Sequence, residues 1–503
     1  DHRDLHSFPT RRSSDLKDLF DLIKSLSKSE KRYFKIYASM QKGDKNYMKL
    51  FNEIENQTVY DEAGIKEKFK NEKFIKQLTF TKNYLYKLIN KSLISFHGSN
   101  SIDFKLNEII NKCKILFKKA LYRQFFQNIK LGKKTAFEYE RFHHYLQFLE
   151  LEKVLIIKKI IPDSSDTKIF ASEAVILKKI ENINDYQKLI SEIETYYRSK
   201  GRFRDKSLLF LKDELMSNPL IQNESKALSI RAKEHFYMVQ QLIADLLGDP
   251  SKMYLYAYKR FNLIKSNPKP FEDQLYNYWI DTLTYLTFFT MGTNQMNEFE
   301  KYVKMLQTLR NKSIVNEIDI YIIISLLEVM KLRKINKKDE FLHLIKDIEK
   351  NLKNFEEKLD YNMEILLNYT ILRVCMNFSE LEKALIYANK LLNSPVINIR
   401  ADVEWYIKLI NLFIHSELRN FKYLKYLTSS IQRYFQKNNR IFKLESYILN
   451  YIKKIEKDQS DENIEFEKRS LLKKMKELKK DPFERNAFST FDFEFWLENT
   501  LKK

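Results

Sequence analysis

Residues 376–395 read MNFSELEKALIYANKLLNSP, and this stretch decides the expected fold. A polar residue and an aromatic ring, Asn377-Phe378, precede a helical run that ends at Pro395. The same form recurs at Phe299, Phe341 and Phe421, so that successive aromatic rings lie 42, 37 and 43 residues apart. A period of about 40 residues is typical of stacked helical hairpins, because a single hairpin cannot bury its apolar face alone.

Glycine and proline are scarce, with seven and eight among 503 residues. Strand-rich folds depend on glycine-containing turns, and a phosphate-binding loop needs several glycines close together. The two closest glycines, Gly43 and Gly64, are 21 positions apart, and no glycine-rich nucleotide motif occurs. We therefore expect an all-α chain, an α-solenoid of helical hairpins with an N-terminal helical unit. Breaks between its helices are expected at polar pairs such as Asn184-Asp185.

The stretch at 376–395 resembles the second half of a tetratricopeptide repeat (TPR). In that family a polar residue and an aromatic open the second helix, as Asn377-Phe378 do here. A small residue, here Ala388, lies where the helices touch, and a proline, here Pro395, closes the unit. The resemblance implies that Phe378 and Phe421 hold matching positions at the starts of second helices. The first-helix Trp and Leu-Gly signature is absent and the spacings exceed 34 residues, so the repeats are degenerate.

The chain as a whole is also similar to uncharacterised bacterial helical-repeat proteins. The likeness is carried by an opening KSEKRYF stretch, which here spans Lys28 to Phe34. It implies a helical-repeat architecture and no particular activity.

Four segments are expected along the chain. Residues 7–16, SFPTRRSSDL, resemble one reading frame of a sequencing adapter, so we expect 1–16 to be a non-native, irregular segment that packs on nothing. Residues 17–100 are expected to form a basic helical unit, and 101–457 the TPR-like helical repeats. Residues 458–503 combine a basic helix with an aromatic segment.

The aromatic segment follows a break at Pro482, and its candidate residues are Phe491, Phe493, Phe495 and Trp496. Exposure of so many rings would be costly. We expect all four to be buried against the chain itself, as a cap on the last repeat. The alternative is that the segment is a docking peptide for a partner.

The net charge of +22 is concentrated early, since residues 17–160 hold 30 Lys and Arg against 16 Asp and Glu. A helix is expected over about 72–96, after a short helix over 61–70, and four lysines share one face of it: Lys73, Lys76, Lys87 and Lys91. This arrangement is compatible with a helix-turn-helix that docks on nucleic-acid phosphates. A solvated face explains the lysines equally well, because the abundant Lys, Asn, Ile, Phe and Tyr suit an AT-rich genome.

No motif for catalysis, a metal or a cofactor occurs in the sequence. The only cysteines, Cys113 and Cys375, cannot form a Cys-based zinc site and are typical of buried thiols in a reducing compartment. No apolar run approaches the roughly 20 residues of a membrane-spanning helix. We therefore expect a cytoplasmic protein that is not an enzyme and has no cofactor or small-molecule site.

Two functions remain open from this sequence. The leading one is a protein–protein interaction scaffold whose concave helical-repeat face holds a segment of a protein or peptide partner. The alternative is a nucleic-acid-binding or regulatory protein with a basic, helix-turn-helix-like N-terminal unit. A third, a self-assembling solenoid without a ligand, belongs to a structural class. A continuous basic stripe on 17–160 would favour nucleic acid, whereas scattered basic patches would favour composition bias.

Overall fold

A computed structural model describes residues 14–41, 46–98, 101–158, 160, 166–202, 204, 213, 215–293, 295–309, 314–355, 359–395, 397–481 and 484–502. Within these ranges all regular structure is helical, with short 3₁₀ turns between α-helices and no strand. The all-α fold class expected from the scarcity of glycine and proline is confirmed.

The chain divides into two compact units, residues 1–136 with 150–154, and residues 137–149 with 155–503. The first eight helices are α1 (Ser14–Ser25), α2 (Lys28–Ser39), α3 (Asn46–Asn56), α4 (Glu62–Lys68), α5 (Leu78–Gly98), α6 (Ile102–Lys118), α7 (Tyr122–Glu138) and α8 (Phe142–Ile157). The last two of these have residues in both units.

Helices α1 to α5 share one apolar core within the first unit. Local hydrogen bonds fix where two of them begin. The Ser27 hydroxyl accepts from the Glu30 amide at 3.3 Å and the Glu30 carboxylate accepts from the Ser27 amide at 2.7 Å, which starts α2. The Asp61 carboxylate accepts from the Gly64 amide at 2.8 Å and starts α4 in the same way. Each cap satisfies backbone donors that would otherwise lack a partner.

The helix expected over 72–96 begins six residues later, at Leu78. The preceding residues, Lys73–Gln77, form a separate 3₁₀ helix. Its tighter winding carries Phe74 into the core, with its ring centroid 5.5 Å from that of Phe69. Tertiary packing of Phe74 therefore overrides the continuous helical pattern read from the sequence.

The proposed adapter segment lies mostly outside the described residues, which begin at Ser14. An irregular backbone was expected over all of 1–16. That expectation is wrong for Ser14 to Leu16, which form the first turn of α1. Helix α1 packs against α3 and α5.

The remaining helices belong to the second unit. They are α9 (Asp166–Lys200), α10 (Pro219–Gln222), α11 (Ile230–Leu246), α12 (Pro250–Ser266), α13 (Leu275–Gly292), α14 (Met296–Thr308), α15 (Ile314–Lys334), α16 (Lys338–Leu352), α17 (Tyr361–Asn377), α18 (Leu381–Leu392), α19 (Ala401–Glu417), α20 (Phe421–Lys437), α21 (Lys443–Lys457), α22 (Asp461–Leu478), α23 (Arg485–Phe488) and α24 (Phe493–Leu501).

Six of these helices, here called the A helices, organise the unit: α11, α13, α15, α17, α19 and α21. Each packs against the helix that follows it, and from α13 onward each also packs against the next A helix. Among the described residues, the packing of α9 against α19 and of α24 against α17 departs from this sequential order. In a simple repeat array, each repeat contacts only its neighbours in the sequence. The second unit does not follow this pattern.

Helix α9 runs without interruption through Asn184-Asp185, where a break was expected. Neighbouring side chains explain the continuity. The Asn182 side chain donates to the Lys226 carbonyl at 3.1 Å and accepts from the Leu228 amide at 2.9 Å. Tyr186 is fully buried. Asn182 and Tyr186 thus hold this part of the helix against the segment at 220–228, while Asn184 and Asp185 remain exposed on the helix surface.

One turn geometry recurs after successive A helices. In it, the amide that caps the next helix donates to a carbonyl five residues back, the hydrogen bond of a Schellman motif. The five bonds, of 2.8–3.0 Å, run from Asp249 to Ala244, Gln295 to Thr290, Lys337 to Leu332, Glu380 to Cys375, and Asn420 to His415. Their donors are 40 to 46 residues apart, close to the period of the aromatic residues.

The turns show that Phe378 and Phe421 do not hold matching positions. Phe378 precedes the left-handed turn residue Ser379, which has a φ of 58°, whereas Phe421 follows the equivalent Arg419, which has a φ of 56°. Helix α18 therefore begins at Leu381 and not at Phe378. The period of about 40 residues is present, but the aromatic residues do not keep a constant phase within it.

Substitution of Gly248 by alanine is expected to destabilise the protein by about 1–3 kcal/mol. Gly248 is the left-handed residue of the first recurrent turn, with a φ of 68°, and an added Cβ would collide with the buried Asn486 side chain. Chemical denaturation measures the loss. Alanine at Gly201, which is left-handed with a φ of 72° and whose added Cβ would have its nearest neighbour at 3.6 Å, controls for backbone strain alone. Equal losses at the two positions would show that contact with Asn486 is immaterial.

Candidate binding groove

A groove of about 660 Å³ lies within the second unit, along four successive A helices. Each contributes at least one apolar side chain to the lining, including, in order, Leu242, Ile280, Ile323 and Leu366. The groove is also lined by residues outside these four helices, among them Tyr197 near the end of α9 and Arg400 just before α19. The groove is thus built from side chains that the repeated A helices present at regular intervals.

The polar lining of the groove is acidic, although the chain as a whole is strongly basic. Three of its carboxylates already have an arginine partner. Glu194 pairs with Arg198 at 3.3 Å, Asp245 with Arg202 at 2.5 Å, and Asp281 with the buried Arg260 at 2.9 Å. These pairs leave little free charge on this part of the wall.

Two further carboxylates of the groove, those of Asp319 and Asp360, have no cationic partner among the described residues. Asp360 caps α17 by accepting from the amides of Asn362 and Met363 at 2.7 and 3.2 Å. Asp319 is half-buried on α15. Burial, and secondly the Asp360 carboxylate, raise the pKa of Asp319 above its ordinary value. A cation between these two side chains would relieve their mutual repulsion.

The sequence analysis did not identify this groove, yet a signal for it was present. Aspartates recur at intervals of 36 to 42 residues, at positions 245, 281, 319, 360 and 402. The first four line the groove, and the fifth pairs with the groove residue Arg400 at 2.9 Å. Carboxylates are common on helices, so only their placement on successive A helices distinguishes these five.

The C-terminal segment, residues 484–501, occupies the A-helix surface beside the groove. The Tyr369 hydroxyl of α17 donates to the Thr490 carbonyl at 3.1 Å, one helical turn beyond the groove residue Leu366. On α19 the Phe413 ring lies 4.7 Å from Trp496 and 5.7 Å from Phe493 between ring centroids. A C-terminal segment of two short helices therefore already packs on part of the A-helix face.

A buried ion cluster anchors this segment to the rest of the unit. The Arg204 guanidinium donates to both oxygens of Glu445 on α21, at 2.6 and 3.1 Å, and to Glu484 at 2.7 Å. All three side chains are at most 5% exposed. Arg202 bridges in the same way between Asp245 of α11 and the Ser489 hydroxyl.

Phe495 departs from the expected burial of the four C-terminal rings. Phe491, Phe493 and Trp496 are buried, whereas Phe495 is 40% exposed and lies 5.4 Å from the Arg333 guanidinium. On α24 the side chains at positions 493, 496 and 497 face the core, so a residue between them points outward at helical spacing. The expectation of four buried rings is therefore wrong at this residue.

The four candidate nucleic-acid lysines do not share one helix face. Lys73 and Lys76 lie on the 3₁₀ helix, and only Lys87 and Lys91 lie on α5. All four are exposed and none has an acidic partner among the described residues. The helix-turn-helix expectation is wrong in this respect, because the short turn at 73–77 separates the two pairs.

The remaining chemistry of the described residues is limited. Both cysteines are fully buried, and burial raises the pKa of Cys113 to about 11 and of Cys375 to about 12. No three described His, Cys, Asp or Glu side chains are close enough to hold a metal ion. Among the described helices, none is both long and apolar enough to cross a membrane.

Comparisons with protein-family models, curated protein sequences and solved structures find no match to this chain.

Proposed function

We propose that this protein is a non-enzymatic interaction scaffold, a TPR-like α-solenoid whose A-helix groove binds an extended segment of a protein partner. The observation that carries the proposal is the groove of about 660 Å³ along four successive A helices. Helical-repeat proteins bind partners on surfaces that successive repeats build together. The recurrent turn, every 40 to 46 residues, supports the same architecture.

The protein's own C-terminal segment supports a peptide as the occupant. It lies on α17 and α19 immediately beside the groove, held by the Tyr369 hydrogen bond and by ring contacts to Phe413. The A-helix face thus accommodates a segment outside the A helices through ring contacts and a hydrogen bond to the Thr490 main-chain carbonyl. These are also the means by which extended peptides are held on protein surfaces.

Charge defines the chemistry of the expected partner segment. Among the described residues, Asp319 and Asp360 have no cationic partner in the groove, while the neighbouring carboxylates are paired with arginines of the chain. A lysine or arginine side chain of the partner would supply the missing charge. We therefore propose a basic, extended segment as the ligand. The two inert buried thiols are consistent with a reducing, cytoplasmic location.

Selection of random peptides of about 12 residues on the full-length protein tests the proposal. Enrichment of lysine or arginine at one position is expected. The D319N/D360N variant should then bind a selected peptide at least about tenfold more weakly, because charge-assisted hydrogen bonds contribute about 1.5–3 kcal/mol. Fluorescence anisotropy with the labelled peptide measures the affinity.

The D339N/D347N variant is the matched control, since these two aspartates are exposed on α16, outside the groove. It removes the same charge and should bind the selected peptide like the wild type. If both variants lose the same affinity for the peptide, the loss is explained by the change in net charge and not by the groove. Failure to enrich any basic sequence, or binding that ignores Asp319 and Asp360, would reject the groove as the binding site.

A further inference from the structure

A second charged feature lies in the first unit, on α2, and is independent of the groove. A cleft of about 530 Å³ is lined by four cationic side chains, those of Lys28, Lys31, Arg32 and Lys35. Their spacing of three and four residues places them on one face of the helix. The capping box at Ser27 and Glu30 fixes the start of this helix directly before Lys28.

The cleft carries an excess of positive charge. Glu55 is its one carboxylate, and it is shared by Lys35 at 2.9 Å and Lys31 at 3.5 Å. Lys28 and Arg32 have no acidic partner among the described residues. Other carboxylates of the unit pair with other lysines, Glu53 with Lys68, Glu62 with Lys66 and Lys82, Glu67 with Lys70, and Glu72 with Lys49.

Helix α5 of the same unit exposes aromatic rings among lysines. Phe80 is 70% exposed and Tyr84 is 39% exposed. With the exposed Lys87 and Lys91 they are separated by four, three and four residues, which places all four on one helix face. Large rings are costly to leave in water unless a partner covers them.

We infer that the first unit binds single-stranded nucleic acid, with the α2 cations on its phosphates and the α5 rings stacked on its bases. Proteins that bind single strands combine positive surfaces with aromatic platforms in this way, and do so with little sequence preference. The cations account for the charge of the cleft, and the stacking accounts for the exposed rings. An anionic membrane would match the charge but would leave the alternation of rings and lysines unexplained.

Equilibrium binding of a fluorescent oligothymidylate of about 20 nucleotides to the full-length protein, between about 50 and 200 mM salt, tests the inference. The K28Q/K31Q/R32Q/K35Q variant is expected to bind at least about tenfold more weakly at 0.1 M salt. Its slope of log affinity against log salt should be shallower by up to about 3, since each phosphate contact on a single strand contributes about 0.7.

The F80A/Y84A variant separates stacking from charge. It should lose about tenfold or more in affinity, because stacking of one base contributes about 1–3 kcal/mol, while its salt slope stays unchanged. Circular dichroism melting of each variant checks that the unit remains folded. A change of slope in F80A/Y84A, or unchanged affinity in either variant, would contradict the assigned roles.

A charge-matched control excludes composition bias. The variant K422Q/K425Q/K437Q/K453Q removes four exposed lysines from the second unit, none with an acidic partner among the described residues. It should bind oligothymidylate like the wild type. The inference is overturned if this control weakens binding as much as the α2 variant does. It is also overturned if the wild type binds phosphatidylserine vesicles but no oligothymidylate at low salt.

Discussion

Replacement of Trp496 by alanine is expected to lower the free energy of unfolding by about 3–5 kcal/mol. The Trp496 side chain is 1% exposed and packs against Phe413 of α19 at 4.7 Å between ring centroids. Its removal would leave a cavity between α24 and the A helices, which the surrounding helices can fill only in part. Equilibrium denaturation in guanidinium measures the loss, and a fall in melting temperature should accompany it.

Phe495 provides the matched control, because it lies one position away on the same helix and is 40% exposed. Alanine at this position should cost less than about 1 kcal/mol. Truncation after Asp481 then distinguishes the two interpretations of the C-terminal segment. A cap predicts a lower melting temperature and aggregation. An unchanged melting temperature together with loss of a co-purifying partner would show that the segment is a docking peptide.

Replacement of Arg204 by methionine is expected to destabilise the protein by about 3–5 kcal/mol. The substitution leaves Glu445 and Glu484 buried together without the guanidinium that bonds to both. An unpaired buried carboxylate costs far more than an exposed ion pair contributes. The measurement is again the free energy of unfolding, taken at neutral pH.

Arg469 on α22 controls for the loss of an ion pair as such. It bonds to Glu465 at 2.6 Å, with both side chains more than half exposed, so methionine there should change stability by less than about 1 kcal/mol. A triple variant, R204M/E445L/E484L, should recover most of the lost stability, because it also removes the two buried carboxylates that the single variant leaves unpaired. A loss at Arg204 no larger than that at Arg469 would contradict the role assigned to the cluster.

The all-α class could be predicted from composition, and the aromatic residues have a spacing close to that of the recurrent turns, but they do not predict where each turn lies. The recurrent turn is defined by a backbone hydrogen bond and a left-handed residue, which is Gly248, Asn336, Ser379 or Arg419 in different turns. Residues of such different chemistry give no common sequence signal. The prediction that Phe378 starts a helix was therefore wrong, because Phe378 precedes the left-handed residue of its turn.

The groove could be predicted only in outline. The aspartates at intervals of 36 to 42 residues are visible in the sequence, but their neutralisation is not. Arg202 and Arg260 reach Asp245 and Asp281 from other elements, so only the fold shows which carboxylates are left without a partner. The 3₁₀ helix at 73–77 could not be predicted for a similar reason. Its backbone conformation depends on the burial of Phe74 in the core, which is a tertiary contact.

The Arg204 cluster also sets an order of events during synthesis of the chain. Its acceptors, Glu445 and Glu484, lie 241 and 280 residues further along the sequence. A ribosome needs about 10–50 s to add that many residues. The helices between them can form as they emerge, but the Arg204 guanidinium has no partner in this cluster until the chain has been extended through Glu445 and Glu484. The cluster therefore joins segments that are synthesised at well-separated times.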